Sequence, residues 1–302
     1  MGKTRVLVLG YGEMGHAMQV LLGDRVQLDI WEKYPAGGFQ SAVLEEAAPA
    51  ADLVLFCLPV SPHREVVTRL LPLLAPHAIC ISIAKGLDEN GQTAAQVFAE
   101  VLGTRHPYAL LYGPMISEEL RAGRYGFAQL GCAGKATEQT VKELFSGTRL
   151  LIEYSPDITG ISWSVILKNV YAMVFGMADE LQMGDNVRGY LAVASLRELD
   201  QIVRRMGGAA GSPWHLAGLG DLVTTATSRD SHHHELGCRL ARGEVEGIEG
   251  EGVHTLQMVR RHGLFREQDY PLFELICSIV SRPGEGKVRN RLETFLKLQQ
   301  HP

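Results

Sequence analysis

Residues 5–22 constrain this chain more tightly than any other stretch. Arg5-Val6-Leu7-Val8-Leu9 is a short apolar run that passes directly into Gly10-Tyr11-Gly12-Glu13-Met14-Gly15, and a helical stretch follows. A strand, a G-x-G-x-x-G turn and a helix in that order make a phosphate-binding unit. Gly10 permits the tight turn, Gly12 lets backbone approach a pyrophosphate, and Gly15 lets the helix pack onto the strand. The helix terminus, with Glu13 and Met14 in its first turn, then offers free N–H groups and a positive dipole end to phosphates. The motif alone is weak; its place between a strand and a helix gives it weight.

The rest of the first half repeats that alternation. Strands are expected near Arg5–Leu9, Val26–Trp31, Leu53–Leu58, Ala78–Ile83, Tyr108–Tyr112, Phe127–Cys132 and Leu150–Glu153, several of them apolar on both faces. This is the pattern of a parallel sheet covered by helices. Beyond Pro156 the period changes: Trp163, Leu167, Val170, Val174 and Met177 recur at helical spacing, as do Leu199, Ile202, Val203 and Met206. The expected architecture is an α/β Rossmann-type doubly wound sheet over residues 1–156, followed by an all-α domain over residues 157–302.

At 302 residues, two domains are comfortable, and 46% hydrophobic with 21% charged residues suits a chain with a real core. A net charge of −5 with no basic run excludes a nucleic-acid partner; Lys287, Arg289 and Arg291 read as a solvated helix face. The five cysteines, Cys57, Cys80, Cys132, Cys238 and Cys277, form no C-x-x-C pair, which argues for a reduced, cytoplasmic protein. The N-terminus leads straight into a strand, unlike a signal peptide. No apolar run is expected to reach the roughly 20 residues of a membrane span.

The second strand ends in Asp29-Ile30-Trp31-Glu32-Lys33. A carboxylate there accepts from ribose hydroxyls and repels a 2′-phosphate, so Glu32 favours NAD, while Lys33 beside it leaves NADP open. Cys57-Leu58-Pro59, Ala84-Lys85-Gly86 and Gly113-Pro114 follow the third, fourth and fifth strands, at the sheet edge where open α/β folds place ligands. Lys168 stands within an apolar helix, where desolvation suits an amine to proton transfer; by composition alone the snorkelling surface lysine is the readier reading. Asp221, after Gly218-Leu219-Gly220, can serve chemistry or cap a helix.

In order and spacing these segments resemble the NAD(P)-dependent glycerol-3-phosphate dehydrogenases, whose C-terminal domain is of the 6-phosphogluconate dehydrogenase-like type. The resemblance rests on Gly10–Gly15, Ala84–Gly86, Gly113-Pro114 with Glu119, Leu167-Lys168-Asn169, Gly184-Asp185-Asn186, Gly218–Leu222, Glu251–Thr255 and Tyr270–Phe273, nearly the whole chain. It implies Lys168 as the general acid and base, with Asp221 positioning it. It also implies Lys85, Gly113 and Asn169 at a small phosphorylated or acidic substrate. Lys85, Ser117 and Glu251 would stand beside the cofactor, with Gly10, Gly12, Glu13, Met14, Gly15 and Glu32. A second copy of the chain is the protein partner it suggests.

The chain departs from the family where the family carries Ser-Arg-Asn. Here Ser231-His232-His233-His234 stands in that place, so Ser231 keeps a substrate-binding position, and His232 and His233 take those of an arginine and an asparagine. Arg229 is near in sequence and can supply a charge. Gly-Pro-Ser has become Gly113-Pro114-Met115, and a family arginine corresponds to Ala194. The adjacent histidines do not read as a metal site, because known three-ligand sites draw on separated positions. Two alternatives stay open: a related dehydrogenase of another small acidic hydroxy compound, and a nucleotide-binding regulator without catalysis.

Overall fold

The computed structural model describes residues 2–228, 231–284 and 286–298. Contacts divide the chain into two units, Met1–Asp88 with Gln92–Ser162, and Glu89–Gly91 with Trp163–Pro302.

The first unit carries seven strands: β1 (Arg5–Leu9), β2 (Gln27–Trp31), β3 (Leu53–Phe56), β4 (Ile79–Ser82), β5 (Tyr108–Tyr112), β6 (Gly126–Cys132) and β7 (Leu150–Ser155). Each strand expected from the sequence forms, with β1 and β5 as expected and the ends of the others moved by one or two residues. Between them lie α1 (Glu13–Leu22), α2 (Leu44–Ala47), α3 (His63–Leu70), α4 (Ala94–Leu102), α5 (Ser117–Arg121) and α6 (Lys135–Phe145). The sheet order is β2-β1-β3-β4-β5-β6-β7.

One expectation needs correction. The sheet is not parallel throughout, since β6 runs antiparallel to β5, with Leu111 opposite Leu130, and β7 follows β6 in parallel. The cause lies in the β5–β6 connection. Its helix α5 has 5 residues, which at about 1.5 Å per residue cannot carry the chain back along a strand.

Alternate strand residues (Val6 and Val8, Leu53 and Leu55, Ile79 and Ile81, Ala109 and Leu111) point into one core with Ala17, Met18 and Leu22 of α1. Burying each such aliphatic side chain stabilises the fold by roughly 1.5–3 kcal/mol. In-register pairing sets Leu9 beside both Trp31 and Phe56, so the loops after β1, β2 and β3 leave the sheet at one level.

The second unit is helical: α7 (Ile158–Glu180, whose first turn belongs to the first unit), α8 (Asp185–Arg205), α9 (Asp221–Thr227), α10 (His232–Ala241), α11 (Glu251–His262), α12 (Pro271–Ser281) and α13 (Val288–Leu298). The expectation that no run reaches membrane-spanning length is corrected by α7, which has 23 residues and contains an 18-residue window of mean hydropathy 1.3. It is a core helix, because 89% of that window is buried inside the protein. Its apolar character surrounds it on all sides, as interior helices require.

α7 and α10 cross where neither has a side chain. A Cβ on Gly176 would stand 1.9 Å from the carbonyl oxygen of His234, and one on Gly237 would stand 2.0 Å from that of Met173. A second tie is Glu198 in α8, whose buried carboxylate accepts from the N–H groups of Leu272 (2.6 Å) and Phe273 (2.8 Å) and from the Tyr171 hydroxyl (2.9 Å). It satisfies amides at the start of α12, which has no side-chain cap of its own. Burial pushes the Glu198 carboxyl up, against those three hydrogen bonds.

Candidate functional site

Each unit holds its own group of candidate residues. In the first, Gly10 (φ +94°) turns the chain so tightly that a Cβ would stand 2.7 Å from the Cys57 carbonyl oxygen. A Cβ on Gly15 would stand 2.1 Å from the Gly10 carbonyl oxygen, so α1 packs against the turn itself. Gly12 differs: a Cβ there would meet nothing within 4 Å. It is the N-cap of α1 and supplies no side-chain hydrogen bond, which leaves first-turn amides facing open space. An open backbone ahead of a bare helix terminus fits a pyrophosphate. Glu13 would oppose that charge, but Arg121 pairs with it at 2.7 Å. Met14 packs against the core of the unit.

Glu32 lies beside this turn, and both of its carboxylate oxygens are engaged. Oε2 accepts from the Tyr11 N–H at 2.7 Å and Oε1 from the Tyr34 N–H at 3.0 Å. The carboxylate therefore clasps the glycine-rich turn, and each oxygen keeps a further lone pair for a ribose hydroxyl. Tyr11 stacks on Phe39 at 4.2 Å, and Lys33 pairs with Glu65 at 3.3 Å.

After β4, the half-buried Lys85 donates from Nζ to the Gly113 carbonyl oxygen at 3.1 Å, joining the segments that follow β4 and β5. Ser117 begins α5 and donates to Glu118 at 2.9 Å. Met115 is buried in the hydrophobic core.

In the second unit, Lys168 is 4% exposed and Asp221 3% exposed. Lys168 Nζ stands 3.2 Å from Asp221 Oδ2 and donates to Thr225 Oγ1 at 2.5 Å. The Thr225 hydroxyl donates in turn to the Asp221 carbonyl oxygen at 2.7 Å. Asp221 is the first residue of α9, reached through a π-helical turn at Leu216–Gly220, and its carboxylate faces the lysine. Two charges buried together are tolerable only when each has its partner, which is the arrangement here. Thr225 is a member that sequence reasoning missed; its signal is the i, i+4 spacing from Asp221, which sets both on one face of α9.

Asn169, 2% exposed, adjoins the start of α11, where a Cβ on Gly252 would stand 2.8 Å from the Asn169 carbonyl oxygen and 3.2 Å from the His233 ring. His233 Nε2 accepts from the Gly252 N–H at 3.3 Å. His232 is exposed, with Nε2 donating to the Glu249 carbonyl oxygen at 2.9 Å. His234 Nε2 meets Asp179 at 2.8 Å. The three rings are thus held by three different partners, and among the described residues no three His, Cys, Asp or Glu side chains are grouped to hold a metal ion. Ser231 caps α10 by accepting from the His234 N–H. Glu251 opens α11 with its carboxyl pushed up by burial, against the pull of His254. Arg229 lies outside the described residues.

Residues 39–137 and 157–287 match the N-terminal and C-terminal models of the NAD-dependent glycerol-3-phosphate dehydrogenases. A glycerol-3-phosphate dehydrogenase (NAD(P)+) from Oleidesulfovibrio alaskensis is 33% identical over 244 residues, 78% of this chain and 74% of that one. The chain belongs to the NAD-dependent glycerol-3-phosphate dehydrogenase family. A second member, from Agrobacterium fabrum, is 27% identical across 93% of this chain and 94% of its own length. The crystal structure of glycerol-3-phosphate dehydrogenase from Coxiella burnetii shares the fold, with a TM-score of 0.85 at 23% identity over 98% of this chain and 99% of that one.

Proposed function

We propose that this dehydrogenase interconverts glycerol 3-phosphate and dihydroxyacetone phosphate, with Lys168 moving the proton. The observation that carries the reading is the buried Lys168, Asp221 and Thr225 cluster. A silent nucleotide binder has no use for an ammonium held this way in the interior. NAD(P), when bound, accepts or supplies the hydride. As the ketone is reduced, negative charge grows on the carbonyl oxygen, and the Lys168 ammonium stabilises it and hands over a proton. In oxidation the amine takes the hydroxyl proton as hydride leaves carbon. A preorganised charge in a water-poor site is among the largest contributions available to such a step. Asp221 and Thr225 fix the amine, and Lys85, Gly113 and Asn169 serve the substrate. Gly10, Gly12, Gly15, Glu32, Ser117 and Glu251 serve the cofactor. Five cysteines, all free thiols, support a reducing, cytoplasmic setting.

The test is cofactor oxidation with dihydroxyacetone phosphate, run separately with NADH and NADPH, on the wild type and Glu32→Ala. Turnover with dihydroxyacetone phosphate is expected, with NADH preferred. The variant should lose NADH affinity, because the glycine-rich turn loses its Tyr11 hydrogen bond and the segment after β2 loses that of Tyr34, and its NADPH-to-NADH ratio should rise. A wild type that prefers NADPH overturns the role given to Glu32.

A second reading, another small acidic hydroxy compound as substrate, is favoured by His232 and His233. Arginine binds phosphate bidentately with a permanent charge, which histidine does not match. No turnover with dihydroxyacetone phosphate, but turnover within a panel of hydroxy acids, would select it.

A further inference from the structure

Beneath the carboxyl ends of β3, β4 and β5 runs a buried polar chain that the reaction as described does not use. His63, the first residue of α3, is fully buried among Phe56 and Phe98. Its Nδ1 lies 2.8 Å from the Pro59 carbonyl oxygen and its Nε2 2.9 Å from Ser82 Oγ. A carbonyl only accepts, so Nδ1 carries the proton. Burial holds the ring pKa down at about 4, so near neutral pH the ring has one proton, and Nε2 must accept from the Ser82 hydroxyl. Ser82 Oγ, its own proton committed, accepts from the Ala84 N–H at 3.2 Å. Burial pushes the Tyr112 hydroxyl up, with Ser82 and Ser162 of α7 as its polar side-chain neighbours. Ser162 donates to the Ile158 carbonyl oxygen at 2.7 Å.

The chain touches backbone where the candidate site is mounted. Ala84 immediately precedes Lys85 and Tyr112 immediately precedes Gly113. Those are the two partners of the 3.1 Å hydrogen bond that orients the Lys85 ammonium. Both ends of that bond are therefore one residue away from a member of the chain. At its far end the chain holds Pro59, next to the Cys57-Leu58 backbone on which the Gly10 turn rests.

We infer that Ser82, with His63 behind it, is a positioning residue for the dehydrogenase reaction: it fixes the backbone that presents Lys85 towards substrate. This rests on the reading of Lys85 as a substrate-binding residue. Geometry of this kind is sensitive, because an ångström of misplacement in a substrate clamp lowers rates by up to about 10²-fold.

A double-mutant cycle separates this role from a merely structural one. The kcat and KM for dihydroxyacetone phosphate are measured for the wild type, Ser82→Ala, Lys85→Ala and the double variant, with NADH affinity and melting temperature alongside. Ser82→Ala should lower kcat/KM by about tenfold, chiefly through KM, with the protein still folded. In the Lys85→Ala background the same change should have less than about a twofold effect, since nothing remains for it to position. His63→Phe, which keeps an aromatic ring among Phe56 and Phe98, should behave as Ser82→Ala does in both backgrounds. An undiminished loss in the Lys85→Ala background, or no loss in either background, overturns the inference. Lys85→Ala with normal kinetics would instead show that the reading of Lys85 is wrong. Any loss from Ser82→Ala would then arise elsewhere.

Discussion

Around Gly12 the first unit offers backbone with space in front of it, whereas around Lys168 the second packs an ammonium, a carboxylate and a hydroxyl into the interior. The first group works because side chains are missing: Gly10 and Gly15 let turn and helix close up, and Gly12 leaves amides bare. The second works because side chains are present and paired. The difference predicts opposite sensitivities. A substitution that adds atoms should harm the first group, and one that removes atoms should harm the second. Each injury should also have its own kinetic signature, in cofactor affinity for one and in turnover for the other.

The largest expected effect is from Lys168→Ala, which should lower turnover by on the order of 10²–10⁴ while leaving NADH affinity near the wild-type value. It strands the Asp221 carboxylate in the interior, so the melting temperature should fall as well, and turnover is best read far below it. An equal loss of NADH affinity would break the separation between the two groups.

Gly12→Ala should do the reverse. Because a Cβ there meets no protein atom, the variant should melt like the wild type. The added methyl stands where the pyrophosphate must approach, so NADH affinity should weaken by on the order of 10²-fold, read by fluorescence titration. Unchanged affinity would mean the glycine-rich turn does not face phosphate.

The smallest effect concerns acid. Burial holds the His63 pKa at about 4, against 6.5 for a free histidine. Between those values the unfolded chain binds a proton that the folded one refuses, so stability falls as pH drops through that window. From pH 7 to pH 5 this amounts to about 2 kcal/mol at one pKa unit per 1.36 kcal/mol. His63→Phe should abolish that share of the acid sensitivity, measured by denaturant unfolding at the two pH values. Equal pH dependence in both proteins would show that the ring is protonated in the folded state.

What could be read in advance follows the same division. The glycine-rich turn is contiguous and belongs to backbone, so six consecutive residues sufficed to place it between β1 and α1. The strands were legible because most are short apolar runs. The reversal of β6 was not, since direction depends on how far α5 can carry the chain, and pattern does not report distance. Asp221 stood open between helix cap and ion partner until α9 was seen to turn its carboxylate onto Lys168. Thr225 was hidden among Thr224 and Thr227, which differ from it only in the face they occupy. His63 and Ser82 gave no signal, because a lone histidine and a lone serine acquire meaning only from neighbours distant in sequence. The length of α7 was concealed by its Ser, Gly, Lys and Asn residues, which interrupt an apolar run without ending a buried helix.

The bare crossing of Gly176 and Gly237 bears on how such an enzyme can change what it acts upon. With carbonyl oxygens occupying the space of the missing methyl groups, α10 cannot slide or roll on α7 without a collision. The backbone under His232 and His233 is consequently held as firmly as the helix that bears Lys168. Exchanging the side chains at His232 and His233 therefore changes the chemistry presented on a fixed frame, without remodelling a loop. A relative with different residues at these two positions should therefore superimpose on this chain atom for atom along α10, and ancestral or designed sequences can be compared there without realignment.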